Sequence, residues 1–210
     1  MLTIVVIAKE CIPGRVKTRL HPPLTLAQAA EVAAASLDDT LEFVRSLPAT
    51  RRVIAFAGTR PPRSARGFDI IPQVEGDLDV RLGAIFDEID GPMLLIGMDT
   101  PQLTRAHLEP MLSEWPDDID AWFGPASDGG WWGLAMRDPD GSVLRGVPTS
   151  RDDTGALQLA ALRLAGHRVG LLAEANDIDT VDDAFDVAAL APQTRFASTF
   201  LALTAAVDAA

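Results

Sequence analysis

The first twenty residues join a short apolar run to a loop that is rich in cations. Leu2 to Ala8 is a run of Ile and Val residues typical of a buried strand, and Gly14 lies in the loop that follows it. Three cations stand at alternate positions in this loop: Arg15, Lys17 and Arg19. In α/β proteins a strand that leads into such a loop and then a helix binds phosphate, because glycine lets the backbone approach the anion and the cations neutralise it. The segment therefore predicts an α/β fold with an anion site after its first strand.

The rest of the chain alternates short apolar runs with longer segments of helical periodicity. Strands are predicted at Leu2–Ala8, Val53–Ala57, Phe68–Val74, Met93–Ile96, Ala121–Phe123, Trp131–Met136 and Val169–Leu172. Helices are predicted at Leu26–Leu47 with Thr25 as N-cap, from Asp77 through Ile89, and at Thr104–Trp115, Thr154–Ala165, Val181–Leu190 and Phe196–Val207. This order predicts one domain over residues 1–210, with a mostly parallel sheet between helices on both faces.

Charge and composition exclude several classes of partner. The 210 residues include 18 Lys and Arg against 30 Asp and Glu, and the formal net charge of −12 disfavours nucleic-acid binding. Cys11 is the only cysteine, so no intrachain disulfide can form. No apolar segment approaches the ~18 residues of a membrane span, and Leu2–Ala8 is too short for the apolar part of a signal peptide. We expect a cytoplasmic protein, and nothing in the sequence predicts its oligomeric state.

The cationic loop is the first candidate site. Arginine holds phosphate oxygens in pairs and lysine binds them as a point charge, so we predict a nucleotide phosphate site here. Its candidate residues are Lys9, Gly14, Arg15, Lys17 and Arg19. The loop matches neither the GxxxxGK[ST] nor the GxGxxG pattern, which disfavours ordinary ATPases and dinucleotide-binding proteins. The alternative is a basic surface loop, which the position directly after a core strand makes less favourable.

Two acidic segments form the second candidate site. Asp99 follows a buried strand directly, a position where carboxylates bind Mg²⁺ or Mn²⁺. Asp177 and Asp179 are two residues apart, so in extended backbone they point to one side and can complete a metal site with Asp99. The alternative is that these carboxylates cap the helices that follow them.

A glycine-rich segment with two tryptophans is the third candidate site. Its residues suit the close approach of an acceptor against an aromatic wall, and strand alternation places only one of the two tryptophans in the site. A plain β-turn at Asp128-Gly129 explains the same residues equally well. Asp128 is the candidate for acceptor positioning or general base. The candidate acceptor contacts are Thr100, Gly129, Gly130, Trp131 and Trp132.

Five motifs, taken in order, resemble one family of transferases. They are Lys9-x-x-x-Pro13-Gly14-x-Val16-Lys17-Thr18-Arg19-Leu20, Gln73-x-x-Gly76-Asp77-Leu78 with Arg81-Leu82, Gly97-x-Asp99-x-Pro101-x-Leu103, Gly124-Pro125-Ala126-x-Asp128-Gly129-Gly130, and Asp177-Ile178-Asp179-Thr180. Over roughly residues 1–185 the chain resembles the radical-SAM/selenodomain-associated transferase 1 family. More distantly, its opening is similar to that of the 2-phospho-L-lactate guanylyltransferase family.

This resemblance implies a fold and part of a site. The implied fold is a Rossmann-like GT-A three-layer sandwich, also called the nucleotide-diphospho-sugar transferase fold. The resemblance further implies that Lys17 and Arg19 contact nucleotide phosphates and that Asp99 binds the metal. A looser similarity to nucleotidyltransferases of this fold adds Asp179 as a second metal ligand.

Together these features predict a metal-dependent transferase that uses Mg²⁺ or Mn²⁺, a nucleotide-sugar or NTP, and a small-molecule acceptor. Glycosyl transfer is placed first, because the site segments 97–103, 124–132 and 176–180 contain no Lys or Arg that could bind an anionic acceptor. Only three flanking residues could supply one: Arg81, Arg145 and Arg151. Nucleotidyl transfer from an NTP to a phosphorylated small acid or sugar phosphate is the alternative. A nucleotide-binding protein without catalysis is the third possibility, and the presence of both Asp99 and Asp179 argues against it.

Overall fold

A seven-stranded sheet runs through the protein, which a computed structural model describes for residues 2–208. Its strands are β1 (Thr3–Lys9), β2 (Arg51–Ala57), β3 (Asp69–Pro72), β4 (Met93–Ile96), β5 (Ala121–Pro125), β6 (Trp131–Met136) and β7 (Val169–Leu171). The spatial order is β3-β2-β1-β4-β6-β5-β7. All neighbouring strands are parallel except β6, which runs antiparallel to both β4 and β5. This confirms the predicted α/β fold with a mostly parallel sheet.

Six helices connect and cover the strands. They are α1 (Leu26–Ser46), α2 (Leu78–Glu88), α3 (Arg105–Ser113), α4 (Thr154–Leu164), α5 (Val181–Leu190) and α6 (Arg195–Asp208). The short strand predicted within Phe68–Val74 is β3, which begins at Asp69 because the Phe68 N–H donates to the Ala65 carbonyl at 2.9 Å and closes a turn. Between residues 2 and 208 no helix has the length and apolar character needed to cross a lipid bilayer.

The start of α1 follows from its sequence. Thr25 is the N-cap, as predicted, and its hydroxyl accepts the Gln28 N–H at 3.2 Å. The Gln28 side chain in turn accepts the Thr25 N–H at 2.8 Å, so this pair forms a capping box. The cap fixes where the cationic loop ends and where the long helix that packs on the sheet begins.

Two apolar clusters lie on the two faces of the sheet. Alternation along β1 sends Ile4 and Val6 into the cluster under α1 and α3, and Val5 into the cluster under α2 and α4. Because both faces are buried, the middle of β1 is apolar throughout, which is the pattern expected of a central parallel strand. Helices α1 and α3 therefore cover one face of the sheet, and helices α2 and α4 cover the other.

A third apolar cluster lies outside the sheet and holds two site segments in place. Leu20 follows the cationic loop, and Ile178 lies between Asp177 and Asp179; both side chains are buried in this cluster. Phe196 and Phe200 of α6 stack on each other at 5.9 Å in the same cluster. The C-terminal helix therefore packs against the residues that position the candidate site.

The glycine-rich segment after β5 packs directly on the start of α4. The Gly155 N–H donates to the Gly129 carbonyl at 2.7 Å. Gly129 has a φ of +86°, and a Cβ there would lie 1.8 Å from the Asp152 carbonyl oxygen. A Cβ on Gly155 would lie 2.4 Å from the Gly130 carbonyl oxygen. These glycines are needed where two backbone segments meet.

We expect Gly155→Ala to lower the free energy of unfolding by about 2 kcal/mol or more, because the new methyl group meets backbone that cannot move aside. Gly133→Ala is the matched control, since its Cβ would make only ordinary contacts beginning at 3.5 Å. Urea denaturation of both variants measures the difference. Equal destabilisation of the two would contradict the tight contact.

Candidate active site

A cavity of about 920 Å³ opens where β1 and β4 end and where the connections after β5 and β7 meet. Ten of the residues predicted from the sequence line it: Lys9, Arg15, Lys17, Arg19, Asp99, Asp128, Gly130, Trp131, Trp132 and Asp179. The three candidate segments of the sequence analysis therefore line one cavity. Their roles there stay predictions.

Three predicted site residues lie elsewhere. Thr100 is buried, with 1% of its surface exposed, and its hydroxyl has no partner within residues 2–208. Gly129 packs against Asp152, and Gly14 serves the turn of the loop with a φ of +78°. Backbone packing accounts for Gly129 and turn geometry accounts for Gly14, and neither lines the cavity.

Lys17 lies at the centre of the charged part of the cavity. Its Nζ donates to Asp99 Oδ2 at 2.7 Å and lies 3.7 Å from Asp179 Oδ1. Only 11% of the Lys17 side chain is exposed. Burial disfavours the charged form, but the attraction of Asp99 and then Asp179 outweighs it, so the pKa of Lys17 is raised above its usual value. The ammonium group therefore stays charged.

Arg19 adds a second cation at the rim of this cluster. Its Nη1 donates to Asp179 Oδ2 at 2.6 Å, and 71% of its side chain is exposed. The phosphate-binding residues and the metal ligands expected from the sequence are thus in contact. Lysine carries three N–H donors, and one hydrogen bond to Asp99 leaves donors for a phosphate oxygen.

Asp177 was named by the sequence analysis only as part of a metal site with Asp99 and Asp179. It lines the cavity, and its pKa is raised to about 7, first by burial and then by repulsion from Asp99 and Asp128. The signal in the sequence was its spacing of two residues from Asp179. Asp177 is also one of three carboxylates, with Asp99 and Asp179, that act on Lys17, so the immediate surroundings of this ammonium group are acidic.

Backbone hydrogen bonds bring the two acidic segments together. The Ile178 N–H donates to the Asp99 carbonyl at 3.2 Å, which places the residues on either side of Ile178 next to the end of β4. The helix caps that the sequence left as an alternative are made by other residues. Thr180 and Asp183 cap α5, and Thr104 caps α3.

The two tryptophans lie on opposite faces of β6. Trp132 is buried in the cluster under α1, where its Nε1 donates to the Ala173 carbonyl at 3.0 Å. Trp131 packs near Phe123 in the other cluster, with ring centroids 6.2 Å apart, and stays partly exposed. Both border the cavity, but only Trp131 offers an aromatic surface to a ligand.

Asp128 combines the two interpretations that the sequence left open. Its Oδ1 accepts the Gly130 N–H at 2.8 Å, which is the hydrogen bond of a tight turn. The same side chain also lines the cavity and lies close enough to raise the pKa of Asp177. Its carboxylate is therefore held in a fixed orientation at the cavity wall.

Arg81 and Arg151 also line the cavity, although the sequence offered them only as flanking candidates. Arg151 binds Asp153 through Nε and Nη2, at 2.8 and 2.9 Å. The third flanking candidate, Arg145, is paired with Asp87. Of the three flanking arginines named from the sequence, two therefore line the cavity, one from helix α2 and one from the segment before α4.

The donors present fit a divalent cation that is completed by substrate. Within residues 2–208 no three His, Cys, Asp or Glu side chains form a ready metal cluster. Mg²⁺ does not require one, because it is commonly bound by one or two carboxylates together with substrate phosphates. Asp99 and Asp179 provide such a pair, and the acidic surroundings of Lys17 favour a cation.

Comparison with solved structures defines the fold class. The chain superposes on a protein from Desulfovibrio desulfuricans G20, which carries the provisional description nucleotide-diphospho-sugar transferase, with a TM-score of 0.81 and 22% identity over 99% of this chain and 96% of that one. It is also similar to CMP:2-keto-3-deoxy-manno-octonic acid synthetase in complex with CTP, with a TM-score of 0.55 and 15% identity over 91% and 98% of the two chains. A third match is 2-C-methyl-D-erythritol 4-phosphate cytidylyltransferase from Thermus thermophilus, with a TM-score of 0.53 and 17% identity over 91% and 100%. The chain therefore has the nucleotide-diphospho-sugar transferase fold.

The sequence also identifies the family. The chain belongs to the family described as "Uncharacterized protein conserved in bacteria (DUF2064)", whose model matches residues 32–151, more than half of the chain. None of the curated proteins matches it. The finer resemblance to the radical-SAM/selenodomain-associated transferases stays a prediction.

We expect Lys17→Met to destabilise the protein by about 3 kcal/mol at pH 7, because it leaves Asp99 without its buried partner. Arg19→Gln should cost less than about 1 kcal/mol, since that ion pair is exposed to solvent. Urea denaturation of both variants checks the difference. If the two losses were equal, Lys17 would not be the central charge of the cluster.

Asp177 generates a prediction about pH. Its folded-state pKa of about 7 lies above the usual 3.8, so the folded protein keeps a proton that the unfolded chain releases between these values. That contribution to stability is present at low pH and is lost as the pH rises to 7. In buffer with a chelator, Asp177→Asn should therefore be more stable than the wild type by at least about 1 kcal/mol at pH 8, and little different at pH 4.

The exposed Asp69→Asn is the control for this experiment, because Asp69 lies on the edge strand β3 far from the cavity wall. A stability difference for Asp177→Asn that stays the same at pH 4 and pH 8 would contradict the raised pKa.

Proposed function

We propose that this chain is a metal-dependent transferase acting on a nucleotide with two or more phosphates. The observation that carries the proposal is the convergence of Lys17, Asp99 and Asp179 at the carboxyl ends of β1 and β4. Ligands of open α/β sheets bind at such strand ends. The cavity of about 920 Å³ is in the size range of ligand pockets and has room for a nucleotide with a small acceptor.

In this proposal Lys17 and Arg19 bind phosphate oxygens, and Asp99 and Asp179 hold the cation. Mg²⁺ or Mn²⁺, when bound, would neutralise the charge that develops on the departing phosphate. Lys17 also keeps the two carboxylates together, so the cationic loop and the acidic segments are in position before a ligand arrives. Such preorganised charge is the main source of catalysis in phosphoryl-group chemistry.

Between the two reactions expected from the sequence, the cations of the cavity favour nucleotidyl transfer. In that reaction an acceptor oxygen bonds to the α-phosphorus of an NTP, and pyrophosphate leaves. Arg81 and Arg151, which the sequence analysis named only as flanking candidates, line the cavity and supply positive charge for an anionic acceptor. Two structural neighbours support this ranking, since one is an octonic acid synthetase in complex with CTP and the other is an erythritol 4-phosphate cytidylyltransferase.

Glycosyl transfer is the second candidate, and Trp131 and Asp128 favour it. In that reaction an acceptor oxygen bonds to the anomeric carbon of the donor sugar, and a nucleoside diphosphate leaves. Trp131 offers a partly exposed indole on which a sugar ring can stack, and Asp128 lies beside it in the wall. The provisional description of the Desulfovibrio protein agrees with this alternative.

Nucleotide binding tests the role of the acidic segment. Asp99→Asn should abolish Mn²⁺-dependent binding of nucleotides, because it removes a metal ligand while keeping the shape of the side chain. Calorimetric titration with a panel of NTPs and nucleotide-sugars, with and without Mn²⁺, measures this, and Asp69→Asn is the control. Unchanged Mn²⁺-dependent affinity in Asp99→Asn would contradict the assignment.

The cationic loop is tested with the same titrations. Lys17→Ala and Arg19→Ala should each weaken binding by about 1–3 kcal/mol, the usual scale for a hydrogen bond to a charged group. Arg15→Ala should cost much less, because Arg15 is exposed and makes no ion pair within residues 2–208. Equal losses for all three would mean that the loop acts only as a diffuse positive patch.

The products separate the two reactions. Incubation with an NTP and a set of small phosphorylated acids and sugar phosphates should release pyrophosphate. Release of a nucleoside diphosphate from a nucleotide-sugar, without pyrophosphate from any NTP, would favour glycosyl transfer instead.

A further inference from the structure

We infer that Arg81 binds the oxyanion of the acceptor, so that the acceptor is a small carboxylic acid or phosphate monoester. This inference rests on the proposed function, because it assigns the second substrate of the same cavity. It goes beyond it by naming the residue and the chemical group that this residue recognises.

A chain of hydrogen bonds that ends in the sheet anchors the Nη1 end of the Arg81 guanidinium group. Gln73 follows β3, and its Nε2 donates to the carbonyls of Ala8 and Ala55, at 2.8 Å each. The Gln73 Oε1 is thereby turned toward α2, where it accepts Arg81 Nη1 at 3.1 Å. Gln73 thus anchors the guanidinium group to β1 and β2, and it uses both ends of its amide to do so.

The remaining edge of the guanidinium group has no partner within residues 2–208. Arg81 Nε is buried without a hydrogen-bond acceptor, a rare condition that costs folding free energy. No carboxylate of the described chain forms an ion pair with Arg81, although the chain carries 30 acidic residues. The cavity cations Lys17, Arg19 and Arg151 are each paired with an aspartate, whereas Lys9 and Arg15 are exposed to solvent, so Arg81 differs from both groups in being partly buried without an acidic partner among the described residues.

Other arginines of this protein show what such an edge binds. Arg151 uses Nε and Nη2 to hold the two carboxylate oxygens of Asp153, at 2.8 and 2.9 Å. Arg168 binds Asp120 through the same two nitrogens, at 2.8 and 2.7 Å. The Nε and Nη2 edge of Arg81 is therefore suited to two oxygens of a carboxylate or phosphate. Because Nε is covered in the free protein, binding through both nitrogens requires a small turn about the Gln73 contact.

The surroundings of Arg81 place this anion apart from the nucleotide phosphates. Arg81 lies on α2. Leu82 of the same helix and Leu95 of β4 line the cavity with it, and both belong to the apolar cluster on that face of the sheet. Lys17 precedes α1, which covers the opposite face. The cavity therefore carries positive charge on both sides of the sheet edge, and Arg81 lies on the side opposite Lys17. Apolar neighbours strengthen the attraction of Arg81 for an anion, because they exclude water.

Anion binding at Arg81 is tested by titration with inorganic phosphate, while the Arg81 side chain is observed directly. The arginine Nε–H resonances are recorded by ¹H–¹⁵N NMR, and the Arg81 signal is assigned by its loss in Arg81→Lys. The titration is run in the Arg19→Gln background, which weakens phosphate binding at the first loop and leaves the buried Lys17–Asp99 pair intact. Methyl phosphate and acetate are titrated in parallel, to distinguish a phosphate acceptor from a carboxylate one.

We expect the Arg81 signal to shift and saturate with at least one of these anions. Arg81→Gln should weaken that binding by about tenfold or more, the scale of a lost charged hydrogen bond. Arg105→Gln is the matched control, because it removes one positive charge from an exposed pair on α3 and should leave binding unchanged. Arg81→Lys retains the charge but loses the paired donors, so we expect intermediate binding. This variant replaces Arg81→Gln in the comparison if Arg81→Gln does not fold. An unmoved Arg81 signal, or equal binding in Arg81→Gln and Arg105→Gln, would overturn the inference.

A second arm separates this inference from the proposed function. The wild type is first saturated with an NTP and Mg²⁺, which is diamagnetic and leaves the Arg81 signal visible, and the anion titration is repeated. An Arg81 site that still binds the anion is an acceptor site, as we expect. If the NTP alone occupies Arg81 and prevents anion binding, the acceptor assignment is overturned while nucleotide binding stands. If no NTP binds at all, the proposed function fails, whatever Arg81 does.

Discussion

The contact of the Lys17 ammonium with Asp99 and Asp179 joins three segments that are far apart in the sequence. One segment follows β1, one follows β4, and one precedes α5. Without a cation between them, Asp99, Asp177 and Asp179 would repel one another in a partly buried place, and the acidic segments could not lie side by side at so low a cost. The ligand site therefore depends on an interaction that also holds the fold together at this edge of the sheet.

The third apolar cluster makes this arrangement possible. Leu20 and Ile178 are buried next to the charged residues, and α6 covers both of them with Phe196 and Phe200. Apolar burial supplies the free energy that brings the loop and the acidic segment together, and the ion pair then fixes their relative position. This explains why a helix distant from the cavity belongs to the architecture of the site.

The sequence predicted the fold well because its strongest signals are local. Periodicity located the strands and helices, and Thr25 marked the start of α1. Contacts that depend on tertiary packing were beyond its reach. Gly129 was predicted from the sequence to contact an acceptor, but in the structure it packs against the Asp152 backbone. Arg81 is held at the cavity by its hydrogen bond to Gln73. Neither contact produces a periodic pattern in the sequence, because the fold determines which residues meet.

The distribution of charge in the cavity suggests how two anionic substrates can share it. Asp99, Asp177 and Asp179 surround Lys17, so under the proposed function a nucleotide polyphosphate would bind beside them together with a divalent cation. On the side of α2, Arg81 is positive and has no acidic partner within residues 2–208, so an anion is favoured there without a metal. Under the proposed function, the nucleotide with its cation would therefore bind on the side of Lys17, and the acceptor anion would bind on the side of Arg81. Because both residues line one cavity, an acceptor held by Arg81 would stay within reach of the nucleotide.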